Sequence, residues 1–264
     1  MLEIKNVYKT FNPGTINEKK ALNGLNLTLN DGDFVTVIGG NGAGKSTMLN
    51  MIAGVYPVDS GAIIIDGTDV TKLPKHKRAK YLGRVFQDPM MGTAADMWIE
   101  ENMALAARRG QRRGLKWAIN KHEREQFKKM LSELDLGLEN RLSAKVGLLS
   151  GGQRQALTLL MAVMKKPKLL LLDEHTAALD PKTAAKVLEL SDKFIAEEGL
   201  TAMMVTHNMR DAIAHGNRLI MMNNGKIILD VSGEEKKKLT VEYLLEAFSK
   251  LSGEEFANDR ALLN

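Results

Sequence analysis

The chain has 264 residues, of which 44% are hydrophobic and 26% charged, and it contains no cysteine. This length and composition are typical of a globular protein with its own core, and the lack of cysteine excludes disulfide frameworks, thiol catalysis and cysteine–zinc sites. The 37 basic and 32 acidic residues give a net charge of +5, which by itself indicates neither nucleic acid nor an anionic membrane as a partner.

The start of the chain gives no sign of export. Met1-Leu2-Glu3-Ile4-Lys5 places charges where a signal peptide needs an apolar core. The longest apolar stretches fall well short of the roughly 18 residues that cross a bilayer. We therefore expect a cytosolic protein without a membrane-spanning segment.

The first part of the chain has the pattern of a sheet. Two runs of alternating apolar residues predict strands that pair antiparallel. A continuous apolar run then leads through a Gly-rich turn into a helix, and two more strands follow. The predicted strands are 2–8, 25–29, 34–38, 62–65 and 82–86, and the predicted helix is 46–53.

The amino-acid composition changes in the middle of the chain. Residues 88–167 are rich in Ala, Leu, Lys, Arg and Glu, which predicts a helical insertion. A strand at 169–172, a helix that begins at Pro181 and ends before Gly199, and a strand at 202–205 follow. This β-α-β order implies parallel strands.

The last part of the chain predicts a hairpin and a helical tail. Asn223-Asn224-Gly225 lies between two apolar runs, which is a strong signal for a tight turn. After it the chain is charged and helical in pattern, without a recognisable motif. We expect one domain, with a core at 1–87 and 168–232, a helical subdomain at 88–167 and a tail at 233–264.

A glycine-rich loop follows the predicted strand 34–38 and opens the predicted helix. Its glycines allow backbone N–H groups to converge on phosphate oxygens, Lys45 can reach the terminal phosphates, and the Ser46 hydroxyl can bind Mg²⁺. Thr47 can add a phosphate hydrogen bond. The alternative is a plain flexible turn, but the strand before and the helix after the loop favour phosphate binding. The motif is Gly39-Gly40-Asn41-Gly42-Ala43-Gly44-Lys45-Ser46.

Two carboxylates end the apolar strand that begins after Lys168. Ligands bind at the carboxyl ends of strands in open α/β sheets, so this is a position for chemistry. Asp173 is placed to hold Mg²⁺, directly or through water, and Glu174 to orient and deprotonate the water that attacks the γ-phosphate. A solvated strand end is the alternative, and the nearby phosphate motif makes it the weaker one.

A third motif is both a helix start and a candidate phosphate site. Ser150 followed by Gln153 three residues later forms a capping box before an apolar run. The two glycines between them leave backbone donors exposed at the helix N-terminus, where an anion from another subunit could bind. The segment is Leu149-Ser150-Gly151-Gly152-Gln153.

Taken in this order, the motifs resemble those of the nucleotide-binding subunit of an ABC transporter, and the resemblance extends from residue 1 to about 230. It identifies 39–47 as the Walker A loop, 169–174 as the Walker B strand and 149–153 as the family signature. The resemblance implies an α/β fold: a P-loop NTPase core with a mainly parallel sheet, an N-terminal antiparallel β subdomain and an α-helical insertion. It also implies ATP and Mg²⁺ as cofactors.

Four more site residues rest on the resemblance alone. Gln87 is similar to the Q-loop glutamine, which contacts Mg²⁺ and senses the membrane partner. Asp180 is similar to the D-loop aspartate, and His207 to the switch histidine that contacts the γ-phosphate. Phe11 stands where the family places an aromatic ring against adenine, with Tyr8 as the alternative.

Some of these residues also have ordinary explanations, and one position departs from the family. Asp180 followed by a proline is a common helix start, and a lone histidine such as His207 more often has a structural role. His175 stands where the family usually has Pro, Ser or Ala after the catalytic glutamate. A protonated ring there would favour the carboxylate form of Glu174 and change the acidic limb of the rate profile.

The resemblance also implies partners. The working unit would be a head-to-tail dimer with a second copy or a paralogous ATPase subunit, in which ATP lies between the phosphate loop of one chain and residues 150–153 of the other. The pore would be a separate membrane permease, which places the chain at the cytoplasmic face of the membrane, and a solute-binding protein is expected as well. Nucleic acid is not, because DNA-repair relatives need a long coiled-coil insertion.

The direction of transport and the solute are predicted by likeness only. The chain resembles subunits of bacterial uptake systems, and its sequence is most similar in character to those paired with permeases for amino acids or similar small solutes. The alternative is a membrane-linked regulatory ATPase of the cell-division signalling type.

Two surface features have open interpretations. Met90, Met91, Met97 and Trp98 follow Gln87 and predict either an adaptable contact surface for the permease or core filling. The run from 108 to 129 carries nine basic residues, which would face anionic lipid, an acidic partner loop or only solvent.

Overall fold

The structure is a computed structural model that describes residues 1–111 and 119–252. The strands in these ranges are β1 (Leu2–Phe11), β2 (Lys19–Leu29), β3 (Phe34–Ile38), β4 (Ser60–Ile65), β5 (Thr68–Asp69), β6 (Leu82–Val85), β7 (Leu169–Asp173), β8 (Thr201–Val205), β9 (Arg218–Asn223) and β10 (Lys226–Ser232). The helices are α1 (Lys45–Ile52), α2 (Lys75–Arg78), α3 (Ile99–Ala107), α4 (Lys121–Ser132), α5 (Gly151–Val163), α6 (Pro181–Glu197), α7 (Met209–Ala214), α8 (Gly233–Lys237) and α9 (Val241–Ser252). Two 3₁₀ turns lie at Leu138–Asn140 and Val146–Leu148.

The described chain forms two compact units. The first contains residues 1–78 and 200–252, and the second contains the described residues of 79–199. The division of the sequence into 1–87 with 168–232, 88–167 and 233–264 stays a prediction.

An antiparallel sheet opens the first unit. Strand β1 pairs with β2 on one side and with β4 on the other, and β4 continues to β5. Leu2 and Ile4 of β1 are buried, because alternate residues of a strand face one side and that side covers the core. An irregularity between Ile4 and Val7 shifts the register, so Val7 is buried in place of Asn6. The predicted N-terminal antiparallel sheet is confirmed.

Parallel strands form the other sheet of the first unit. Strand β3 pairs parallel with β8 and with β9, and all five of its residues are buried, as expected for a strand covered on both faces. Strands β9 and β10 form the predicted hairpin. Asn224 and Gly225 both have positive φ, 47° and 73°, which is what a two-residue hairpin turn of this type requires.

The second unit holds the helical insertion and two parallel strands. Strand β6 pairs with β7 from Leu82↔Leu169 to Val85↔Leu172. Helices α3, α4 and α5 lie between these strands in the chain, which confirms the predicted change to helix. Every residue of α5 from Arg154 to Val163 is buried, so this helix forms the centre of the unit.

The C-terminal tail folds back on the first unit. Leu244 and Phe248 of α9 pack in a buried cluster with Ile38 and Met221. The rest of the predicted tail, residues 253–264, lies outside the described residues, as do 112–118 of the basic run. No helix that the structure describes is both long and apolar enough to cross a bilayer.

Candidate functional site

The glycine-rich loop joins β3 to α1, as the sequence predicts. Gly44 is the residue before α1 and has a left-handed backbone with φ of 102°. A Cβ atom there would lie 2.6 Å from the Ala21 carbonyl oxygen, so only glycine fits. Asn41 and Gly42 at the tip of the loop are exposed, whereas Ala43 is buried. The base of the loop therefore packs against β2, whereas its tip is exposed to solvent.

Lys45 bends back over this loop. Its ammonium group donates hydrogen bonds to the carbonyl oxygens of Gly39 at 2.5 Å and Gly40 at 3.1 Å, and the residue is 5% exposed. Ser46 is exposed and Thr47 half-buried at the start of α1. A lysine held at the loop, with the N–H groups of a helix N-terminus, suits a bound phosphate chain.

His207 lies at the same edge of the sheet as the loop. It follows β8, which pairs with β3 up to Val37↔Val205, so both parallel strands end on one side. Thr206 donates its backbone N–H to the Val37 carbonyl at 3.1 Å. Asn208 then caps α7 by accepting two backbone N–H groups. His207 is half-buried between these fixed neighbours.

Phe11 ends β1 and is half-buried. Its ring meets that of Tyr56 edge to face, with centroids 5.2 Å apart, and the Lys9 ammonium is 5.6 Å from its centroid. The alternative, Tyr8, has its hydroxyl beside Gly24. The assignment of either ring to adenine stays a prediction.

In the second unit, Asp173 ends β7 beside an arginine that sequence reasoning missed. The Arg84 guanidinium of β6 donates to the Asp173 carboxylate at 2.9 Å, and the two side chains are 14% and 15% exposed. The same guanidinium lies 4.6 Å from the centroid of the Phe86 ring. An ion pair of this kind, sheltered from solvent, fixes the orientation of the carboxylate.

Glu174 has an unusual backbone. Its φ is +48°, a left-handed conformation that is uncommon for residues other than glycine. Its carbonyl accepts the backbone N–H of Ala177 at 3.0 Å, which closes a tight turn after β7. Strained backbone of this sort clusters at functional sites, where the surroundings enforce it.

His175, the departure from the family pattern, is buried at 1% exposure. Its ring nitrogen Nε2 lies 3.0 Å from the Ser191 hydroxyl of α6. The ring is thus packed into the second unit and hydrogen-bonded there. An effect of this ring on the pH dependence of hydrolysis stays a prediction.

The signature segment forms the predicted capping box. Gln153 donates its backbone N–H to Ser150 Oγ at 3.3 Å, and Ser150 donates its own to Gln153 Oε1 at 3.2 Å. Gly151 and Ser150 are exposed, whereas Gly152 is buried. A Cβ at Gly152 would overlap the Thr183 methyl group of α6, so the glycine permits close packing of two helix starts.

Asp180 lies next to the signature segment through this packing. It is exposed and caps α6 by accepting the Thr183 N–H at 3.1 Å. Hydrogen bonds from the Thr183 side chain and backbone keep the pKa of the Asp180 carboxyl below its ordinary value. Asp180 therefore does cap α6, and this does not exclude its predicted role as the D-loop aspartate.

Gln87 is exposed just beyond β6 and precedes a methionine-lined surface. Met90, Met91 and Trp98 are 55%, 53% and 45% exposed, while Met97 is half-buried. Core filling thus does not explain the first three. We use "methionine surface" for Met90, Met91 and Trp98.

Three of the six described basic residues of the run are tied to their own unit. Arg108 pairs with Glu123 at 3.0 Å, Arg109 donates to the Ala162 carbonyl at 2.9 Å, and Arg124 bridges to Glu100. A role toward lipid or a partner loop stays a prediction.

Comparison with known proteins decides the family. The model of the ABC transporter family matches residues 22–177. The chain belongs to the ABC transporter family. As an ABC ATPase it is 46% identical over 253 residues to the tyrosine transport ATP-binding protein of Clostridioides difficile strain R20291, covering 94% of this chain and 98% of that one.

Other relatives of this ABC ATPase have different solutes in their names. It is 34% identical to the xylose/arabinose import ATP-binding protein of Sulfolobus acidocaldarius, over 96% of this chain and 95% of that one. It is 35% identical to a spermidine/putrescine import ATP-binding protein of Haemophilus influenzae, over 89% of this chain but 59% of the longer relative.

Solved structures agree on the fold. A dimeric ATP-binding cassette in a post-hydrolysis state, bound to ADP and phosphate, superposes with a TM-score of 0.75 at 31% identity, over 88% of this chain and 98% of that one. An ABC transporter cassette in its ADP conformation gives 0.76 at 28% identity, over 94% and 98%. The predicted P-loop NTPase fold is confirmed.

Proposed function

We propose that this ABC ATPase hydrolyses Mg²⁺–ATP to drive uptake of a small solute, with amino acids as the favoured class, through a separate membrane permease. The observation that carries the transport role is the match over nearly the full length to a tyrosine transport ATP-binding protein. The reported relatives have transport names, and none of them supports the cell-division alternative.

The first unit supplies the proposed nucleotide grip. Phe11 stacks on adenine, and the loop from Gly39 to Thr47 surrounds the phosphates. Lys45 turns from its present carbonyl partners toward the terminal phosphates, which offer it charged acceptors instead of neutral ones. His207 contacts the γ-phosphate from the same edge of the parallel strands.

The second unit supplies the proposed hydrolytic groups. Asp173 and Gln87 of this unit, with Ser46 of the first unit, would offer the oxygen ligands that Mg²⁺ prefers, and the ion would neutralise charge on the phosphates. Within residues 1–111 and 119–252, no three His, Asp or Glu side chains form a ready metal site. Glu174 orients the attacking water and accepts its proton.

A dimer completes the proposed site. Ser150, Gly151 and Asp180 are exposed at neighbouring helix starts of the second unit, so they are available to a second chain. We assign Ser150 to Gln153 to the ATP held by the phosphate loop of the partner, which is a second copy or a paralogous ATPase subunit. The solved dimeric cassette supports this arrangement.

The methionine surface is the proposed dock for the permease. Its side chains are exposed, methionine side chains suit an adaptable contact, and all three residues lie in the connection between β6 and α3, as Gln87 does. This contact places the protein at the cytoplasmic face of the membrane. A solute-binding protein would deliver the solute to the permease on the other side.

Hydrolysis by the purified full chain tests the catalytic part. Glu174→Gln keeps the shape of the side chain and removes the base, so the rate should fall by about 10²- to 10⁴-fold while ATP still binds. With Mg²⁺–ATP, light scattering should then show a stable dimer. Glu189→Gln, on the exposed side of α6, is the control and should leave the rate unchanged. A wild-type rate in Glu174→Gln refutes the base assignment.

A further inference from the structure

A buried glutamine lies two residues beyond the signature segment. Gln155 of α5 is 0% exposed. Its side-chain amide nitrogen donates two hydrogen bonds, to the Phe86 carbonyl at 2.9 Å and to the His175 carbonyl at 2.7 Å. All three residues belong to the second unit. One side chain therefore joins three segments of that unit.

The two carbonyls flank the proposed catalytic residues. Phe86 directly precedes Gln87, and His175 directly follows Glu174. The described pairing of the parallel strands β6 and β7 ends at Val85↔Leu172. Beyond that point the Gln155 amide gives each of these carbonyls a donor, in place of the strand ladder.

The bonding pattern shows that the amide nitrogen is the functional end of Gln155. Among the described residues, its Oε1 atom is buried without a hydrogen-bond partner. A buried acceptor left in this way costs stability, and an apolar side chain would fill the space without that cost. Gln155 is therefore placed for its two N–H donors and not for packing.

The segment after β7 needs such a support. Glu174 has φ of +48°, and a strained backbone persists only where its neighbours enforce it. The His175 ring is held by Ser191, which itself donates to the Val187 carbonyl of α6 at 2.8 Å. Gln155 holds the backbone of the same residue.

From this geometry we propose that Gln155 is a positioning residue for hydrolysis: its amide holds Gln87 and Glu174 at a fixed spacing and ties both to the signature helix α5. The inference rests on the proposed roles of Gln87 and Glu174. Loss of the amide should disturb the chemical step more than the binding of ATP, since the nucleotide grip is assigned to the first unit.

Gln155→Met tests this, because methionine has a similar shape and no N–H donors. In the full chain we expect kcat to fall by about 10- to 100-fold, with the affinity for a fluorescent ATP analogue changed by less than about twofold. Gln155→Glu, which is nearly isosteric and also loses the amide donors, should likewise lower kcat and leave the ATP affinity nearly unchanged. Thr158→Val is the matched control, because Thr158 is buried one turn later and its hydroxyl donates to the Arg154 carbonyl of its own helix.

Two further results separate the possible failures. In the Glu174→Gln background, Gln155→Met should lower the residual rate by a smaller factor than it lowers the wild-type rate, because the part of its effect that acts through Glu174 is already lost. Wild-type kcat in a folded Gln155→Met chain, an equal loss of kcat and ATP affinity, or unfolding of both Gln155 variants overturns the inference. A Glu174→Gln chain with wild-type activity would instead overturn the proposed function on which it rests.

Discussion

In the phosphate loop of the first unit, Lys45 is held by carbonyl groups of its neighbours in the chain, whereas the ends of β6 and β7 in the second unit are held by side chains from distant segments. Lys45 bonds to carbonyls five and six residues away. Gln155 reaches Phe86 across 69 residues, and Arg84 reaches Asp173 across 89. The position of the phosphate-loop lysine is thus encoded locally, and the hydrolytic half depends on tertiary packing.

The largest effect on ATP binding should come from the phosphate-loop lysine of the first unit. Lys45→Ala removes the ammonium that is assigned to the terminal phosphates, and a charged hydrogen bond of this kind is worth about 10- to 100-fold in ATP affinity. Hydrolysis at low ATP should fall at least as far. Fluorescent ATP binding and phosphate release measure both. Lys20→Ala, an exposed lysine of β2, is the control, and equal behaviour of the two variants would contradict the assignment.

A variant that disturbs packing in the second unit should have a smaller effect, and this effect should appear in the free energy of unfolding. Gly152→Ala drives a methyl group into Thr183 of α6, and such overpacking costs about 1 to 3 kcal/mol in the free energy of unfolding. Urea unfolding measures it. Thr183→Ser removes the opposing methyl group, so the double variant should recover most of the loss. A double variant as unstable as Gly152→Ala alone would show that the two residues are not in conflict.

The smallest effect concerns a local feature within the second unit. The pKa of Asp180 is lowered in the folded chain, so its carboxylate adds stability that is complete above its ordinary pKa and is lost as pH falls through the folded value. Asp180→Asn keeps a capping oxygen but does not titrate. The difference in melting temperature between the two chains should therefore shrink below about pH 4. A difference that is constant with pH would contradict the assigned cause.

The difference between local and distant contacts explains which features could be predicted from the sequence. The strand before the phosphate loop, the Ser150 capping box and the Asn224-Gly225 turn were predictable, because each depends on residues within a few positions of one another. The roles of Arg84 and Gln155 were not, because nothing in the local pattern marks which carboxylate or carbonyl a distant side chain will meet. The buried state of His175 was missed for the same reason.

The central claim, that this ATPase drives uptake through a separate permease, is tested most directly by capture from native membranes. Two tagged chains are used as baits in Mg²⁺–ATP: the Glu174→Gln chain, and the same chain with Met91→Glu added. Each is recovered from detergent-solubilised membranes, and the bound proteins are identified by mass spectrometry. We predict that a permease with several membrane spans binds the first bait and is lost from the second. Recovery of a division or signalling protein without a permease would contradict the claim.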